Sequence, residues 1–308
     1  MVIWGCIISM TTSQFDVNKL DKLKLYFGEP YAIHTPTEKD IIVYQPTIGD
    51  IVQHGEQEVY SVVNAFSANS TMYRLQLWDN GIDWNNVSDY EMFLMLVSTL
   101  SLDQTRLMFG DLDFQKFERC WKQMPDQEEP IITLWNAEQE VEIDEATHTH
   151  LCEYMRFLFN NYPKVEKAKG KETKKAIIWE ERQKQKKNED RNESILLPMI
   201  SACLNHPGFK YKKNELREVG IVEFMDSVQR LQIYESTTAL MRGAYSGFCD
   251  TSKIPKEQFN FMREIVYGRK PINPNGNKKD NVSIPEFSST GIVGMSEKIK
   301  EKLNKVNS

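Results

Sequence analysis

Apolar positions recur along this chain at strand-like and helix-like spacings, interrupted once by a long charged stretch. Leu25–Ile33 (LYFGEPYAI) and Ile41–Gln45 (IIVYQ) are rich in aromatic and β-branched residues. They predict two short strands around a polar connection, with Pro30 placing the first at a sheet edge. Thr47 and Asp50 have the spacing of a capping box. The helix expected after them buries Ile48, Ile51, Val52, Val59, Val62, Val63 and Phe66. Asn69-Ser70-Thr71 predicts another helix start, through Met72, Leu75, Leu77 and Trp78. It stops at Asp79-Asn80-Gly81, where glycine suits a left-handed cap. Ser88 and Glu91 form a cleaner capping box ahead of Tyr90, Phe93, Leu94, Leu96, Val97 and Leu100. Leu107–Phe109 is a short apolar piece. Ile131–Trp135, a turn at Asn136–Gln139 and Val141–Ile143 read as a hairpin. Asp144 then caps a helix reaching about Asn160, with Leu151, Tyr154, Met155, Leu158 and Phe159 facing inward.

The charged stretch runs from Pro163 to Glu193 and predicts a solvated helical arm. Beyond it, Ile195–Leu204 is apolar with helical character, His206-Pro207-Gly208 is a turn, and Phe209-Lys210-Tyr211 is extended. Glu215 to Arg242 carries the strongest helical pattern, with Ile221, Phe224, Met225, Val228 and Leu231 at three- and four-residue steps. Gly243 and Gly247 mark its expected end, and a last short helix is expected over Lys256–Tyr267. The expected fold is α+β and predominantly α-helical, with two domains joined by a charged helical arm. The boundaries are an N-terminal extension over 1–24, a mixed helix and hairpin domain over 25–162, the arm over 163–193, a smaller helical domain over 194–267, and an extended or disordered tail over 268–308.

Charge sharpens this division. The chain holds 38 Lys or Arg against 44 Asp or Glu, a net charge of −6. The arm alone has eleven Lys or Arg and seven Asp or Glu, so the other 27 and 37 leave the rest of the chain at −10. Nucleic-acid binding needs a broad basic face to displace counterions, and only the arm is basic. Cys6, Cys120, Cys152, Cys203 and Cys249 are widely spaced with no CxxC, which fits thiols in a reducing compartment. The opening VIWGCIISM lacks the basic flank of a signal peptide, and no apolar run approaches the ~18 residues of a membrane helix.

Candidate chemistry is sparse. His148, His150 and Cys152 are the densest potential metal ligands, but no further ligand cluster lies at zinc spacing. Asp111 and Asp113 alternate beside Phe109, Phe114 and Phe117, the pattern of solvent-facing carboxylates next to a buried aromatic group. No phosphate-binding glycine motif and no nucleophile elbow is present. Neither an enzymatic activity nor a cofactor is therefore expected. Ile177, Ile178 and Trp179 interrupt the charged arm and call for a cover, either the second domain or a partner. Phe209, Tyr211, Tyr245 and Phe248, in short segments around glycines, are the remaining candidates for partner binding.

The phrases YFGEPY, YQPTIGDIVQHGEQEVYSVVN, LWDNGIDW, VSDYEMFLML, LMFGDLDF, FMDSVQRL and GAYSGF occur together between Leu25 and Phe261. In them the chain resembles an uncharacterised group of proteins encoded in the structural and tail modules of tailed bacteriophages of Gram-positive hosts. The layout is similar to that of tail assembly chaperones, which coat the tape-measure protein while the tail is built. The resemblance implies a non-enzymatic tail-morphogenesis factor in the host cytoplasm. Its partners would be other phage tail proteins, above all the tape-measure protein, with homo-oligomerisation open. The alternative is a structural virion protein of the neck, tail or baseplate. A nucleic-acid-associated role through the Lys-rich arm ranks third. The resemblance carries no residue-level site.

Overall fold

A computed structural model describes residues 20–123, 130–188, 194–246 and 254–265. The extension over 1–19, Gly247, Phe248 and the tail from 266 onward lie outside the described residues. The fold is α+β and predominantly helical, with two small antiparallel sheets.

Local side-chain caps decide half of the ten described α-helix starts. Thr47 and Asp50 form a complete capping box on α2 (Ile48–His54), and Ser88 and Glu91 do the same on α5 (Asp89–Leu96). The helix expected from Thr47 to Phe66 is two helices. Gly55, at φ +105°, breaks the chain between α2 and α3 (Glu56–Ser67). Within α2 the buried side is Ile48 and Ile51 and Val52 is exposed rather than buried, while Val59, Val62, Val63 and Phe66 of α3 are buried as expected. The restart at Asn69 is a turn in which Asn69 accepts from the Met72 amide; the helix itself, α4, spans Arg74–Asp79, and Gly81 closes it at φ +73°. Leu107–Phe109 is the last turn of α6 (Leu102–Phe109), whose capping box of Ser101 and Gln104 was not expected.

The first expected strand is corrected. Asp21 accepts from the Lys24 amide at 3.2 Å and starts a short helix, α1 (Lys22–Tyr26), that buries Leu25. Gly28, at φ +77°, redirects the chain into β1 (Tyr31–His34), which pairs with β2 (Asp40–Val43). The hairpin at 131–143 forms as β4 (Ile131–Asn136) and β5 (Val141–Ile143). A third strand, β3 (Glu118–Lys122), pairs with β4 and had no sequence signal, because its residues ERCWK show no apolar alternation.

The central element is α7 (Glu145–Phe159), capped by Asp144 and packed against α3, α5, β1 and β5. Its Arg156 guanidinium is almost buried. It donates to Ser67 O at 3.0 Å, Glu153 at 2.8 Å and Asp89 at 2.8 Å. Among its described residues the arm is helical only over α8 (Lys171–Asn188), and residues 163–170 before it form no regular element. After the arm comes α9 (Leu196–Asn205). The long helix expected from Glu215 is a 3₁₀ turn, Glu215–Glu218, followed by α10 (Ile221–Tyr245), which passes straight through Gly243. The interruption has a cause. Gly220 bridges Thr47, Ile48 N donates to Val219 O at 2.9 Å, and Ile221 N donates to Pro46 O at 3.0 Å. The described part of the last expected helix is only a 3₁₀ turn, Lys256–Phe259. Leu196, Met199, Ile221 and Phe224 join the same hydrophobic cluster as Ile51, Phe66 and Tyr154.

Candidate partner-binding face

Residues before, within and after the central helix converge on one face. Lys22 and Tyr26 lie one turn apart on α1. With Phe157 of α7, Val222, Asp226 and Arg230 of α10, and Glu264 and Ile265, they line a cleft of about 180 Å³. Lys22 bridges Glu264 at 2.7 Å across it. Arg230 donates to Phe261 O at 3.1 Å and Arg263 O at 2.9 Å, and Thr237 donates to Gln258 O at 3.1 Å. These bonds hold the 256–263 segment along α10. Carbonyls that would otherwise seek water are thus satisfied by one helix.

Phe209 and Tyr211, two of the expected partner-binding residues, belong to the rim of this face. Their rings meet edge to face at 5.7 Å. The Tyr211 hydroxyl donates to Glu223, and the Lys210 ammonium sits 4.5 Å from the Tyr211 ring centroid. Desolvation, then the Glu223 carboxylate, raises the Tyr211 pKa; desolvation raises that of Tyr26, which Lys210 opposes. The cluster of Tyr26, Lys210, Tyr211 and Glu223 ties α1 to α10 with polar bonds and leaves apolar surface beside it. Leu23 of α1 and Phe27, the residue that caps its C-terminus, lie one turn apart and are 68% and 75% exposed, and Met262 is 73% exposed. Sequence reasoning missed the first two, because Leu23 fell in the expected extension over 1–24 and Phe27 in the expected strand Leu25–Ile33. The signal available was Asp21, an N-cap immediately before the Lys22–Tyr26 run.

The other expected residues scatter. Ile178 is buried in the hydrophobic cluster, Ile177 is half-buried against it, and α8 packs on α4. The cover for the arm is thus the 25–162 segment, not the segment after the arm. Trp179 stays exposed on the far side of α8, and Tyr245 is exposed at the end of α10. The structure brings neither beside Phe209 and Tyr211 in any described contact, and Phe248 lies outside the described residues.

The potential metal ligands also separate. His148 stacks on Phe93 at 4.5 Å inside the core, while His150 bonds the Tyr31 hydroxyl at 2.9 Å. Burial pushes the Cys152 thiol up to about 12, far from a reactive thiolate. Asp111 pairs with Arg106 at 3.1 Å, and Asp113 caps a 3₁₀ turn. Among the described residues no group of three or more His, Cys, Asp or Glu is placed to hold a metal, and no helix is long and apolar enough to cross a membrane. Comparison with protein-family models, with curated proteins and with solved structures finds no match to this chain.

Proposed function

We propose that this protein is a non-enzymatic, protein-binding factor of phage tail morphogenesis, a tail assembly chaperone whose client is the tape-measure protein. The phage assignment draws its support from the shared phrases between Leu25 and Phe261. The binding role draws its support from one observation: Leu23 of α1 and its C-cap Phe27 present large apolar surface next to a polar-rimmed cleft. An apolar strip of this kind suits the apolar face of an amphipathic client helix, and the Lys22, Asp226, Arg230 and Glu264 charges at the cleft suit that helix's polar flank. Burying a Leu and a Phe against a client contributes about 1.5–3 kcal/mol each.

The test is co-expression with the tape-measure protein. The wild-type chain should raise the soluble fraction of that client. The double variant Leu23→Ser, Phe27→Ser should lose most of the effect, with binding weakened on the order of 100-fold, while its own melting curve is kept because both side chains are already in water. Equal client solubility with wild type and variant would reject this face as the binding site. Stoichiometric copies of the protein in purified particles would replace the chaperone reading with a structural virion role.

A further inference from the structure

β3 is the outer strand of the sheet ordered β3-β4-β5, so one of its edges has no neighbouring strand among the described residues. Its residues are exposed except for Cys120, which is half-buried, and Trp121 is 67% exposed opposite Ile132. Charged side chains ordinarily guard such an edge against chance pairing. Here Glu118, Arg119 and Lys122 are placed so that the guard fits a copy of itself.

A second Glu118–Lys122 strand laid antiparallel along this edge keeps side chains on matching faces when the pairing centres on Arg119, Cys120 or Trp121. Centred on Arg119, it sets like charges opposite one another. Centred on Trp121, it leaves Glu118 with no residue of the second strand to face. Centred on Cys120, every residue pairs. Glu118 then faces Lys122 of the second copy at both ends, Arg119 faces Trp121, and Cys120 faces itself. Opposite charges and a cation beside an aromatic ring are favourable cross-strand pairs. The flanking side chains are already held: Arg119 donates to Leu94 O at 2.9 Å, and Lys122 reaches Glu142 at 2.6 Å while staying half exposed. Both must share these bonds with a second strand, so the pairing is expected to be moderate in affinity.

We propose that β3 is the seam of a homodimer, pairing with β3 of a second copy in the Cys120-centred antiparallel register and fusing two sheets across a twofold axis. The proposal goes beyond the client-binding reading and does not depend on it.

Sedimentation velocity on the full chain, from about 1 to 100 µM, reads the mass directly. The expected result is a shift from one chain to two over this range. Glu118→Lys places Lys against Lys at both ends of the seam and should raise the dissociation constant on the order of tenfold or more. Copper-phenanthroline oxidation should couple the two facing Cys120 thiols into one disulfide, giving a dimer band that Cys120→Ser removes. A single-chain mass throughout the range overturns the proposal. So does a dimer whose dissociation constant Glu118→Lys leaves unchanged, or one that yields no Cys120-dependent cross-link.

Discussion

His148 shows how one side chain ties burial to pH. Its ring stacks on Phe93 at 4.5 Å and leans on Tyr90 at 5.5 Å, and its Nε2 has no hydrogen-bond partner. Desolvation first, and the Arg156 cation second, lower its pKa to about 3. In the unfolded chain the imidazole titrates near 6.5. Between these two values the unfolded state carries the extra proton, so stability falls as pH drops from about 6.5 towards 3 and stops falling below that. At pH 4.5 this group alone should cost about 2–3 kcal/mol relative to neutral pH. His148→Leu keeps an apolar side chain in the site and removes the proton. Urea unfolding of both proteins at pH 7 and 4.5 should show the smaller loss in the variant. Equal losses in the two would place the acid sensitivity elsewhere. The sequence showed His148 among potential ligands at helical spacing but gave no sign of its aromatic neighbours, because Phe93 and Tyr90 come from another helix.

The arm shows the same divide at the level of elements. Its helix was legible from Lys/Glu composition, yet its docking was not. Residues 164–168 are read by side chains far back in the chain: Asn69 donates to Lys164 O at 2.9 Å, Trp84 Nε1 to Glu166 O at 3.3 Å, and Asn85 Nδ2 to Ala168 O at 2.7 Å. Ala168 N returns a bond to Asn85 at 3.3 Å. Arg74 then clamps Glu166 and Glu181, while Lys174 and Arg182 reach Asp83 and Asp79. Asn and Trp in a helix-turn-helix stretch carry no hint of a client segment some ninety residues later. Capping boxes, by contrast, close within four residues, and each expected one formed. The Arg182–Asp79 pair is exposed and adds little in water, whereas Arg74 and Lys174 are mostly buried, so their pairs share the docking with the backbone bonds and the buried Ile178. Ile178→Asp buries a charge at the contact and should release α8. The expected readout is rapid trypsin cleavage at the arm lysines, with hydrogen exchange accelerated in 171–186 and the α7 core still protected. Unchanged cleavage would mean that the ion pairs alone suffice to hold the arm.

For the whole molecule, composition and periodicity sufficed for an α+β, mostly helical fold, because those properties add up residue by residue. How the parts join was not legible, since it rests on pairings across the full length of the chain. Two junctions carry it. Glu56, the first residue of α3, accepts from the Ile195 and Leu196 amides at 2.6 and 2.8 Å and so caps α9 from a distance. Gly49 lets the chain before the arm touch the chain after it: a Cβ there would lie 2.7 Å from Arg217 O, inside any tolerable contact with backbone. With Gly220 bridging Thr47 alongside, the junction has no flexible side chain that can yield. Gly49→Ala should therefore force the 3₁₀ turn at Arg217 away from α2 and cost about 1–3 kcal/mol. If one core spans both segments, this cost must appear everywhere at once. Far-UV circular dichroism and tryptophan fluorescence should report a single coincident urea transition in the wild type, moved to lower urea in the variant. Helix-wide and tryptophan signals that separate, with only the first shifted, would show that the segment after Glu193 unfolds on its own and that the shared cluster is a contact between two independent cores.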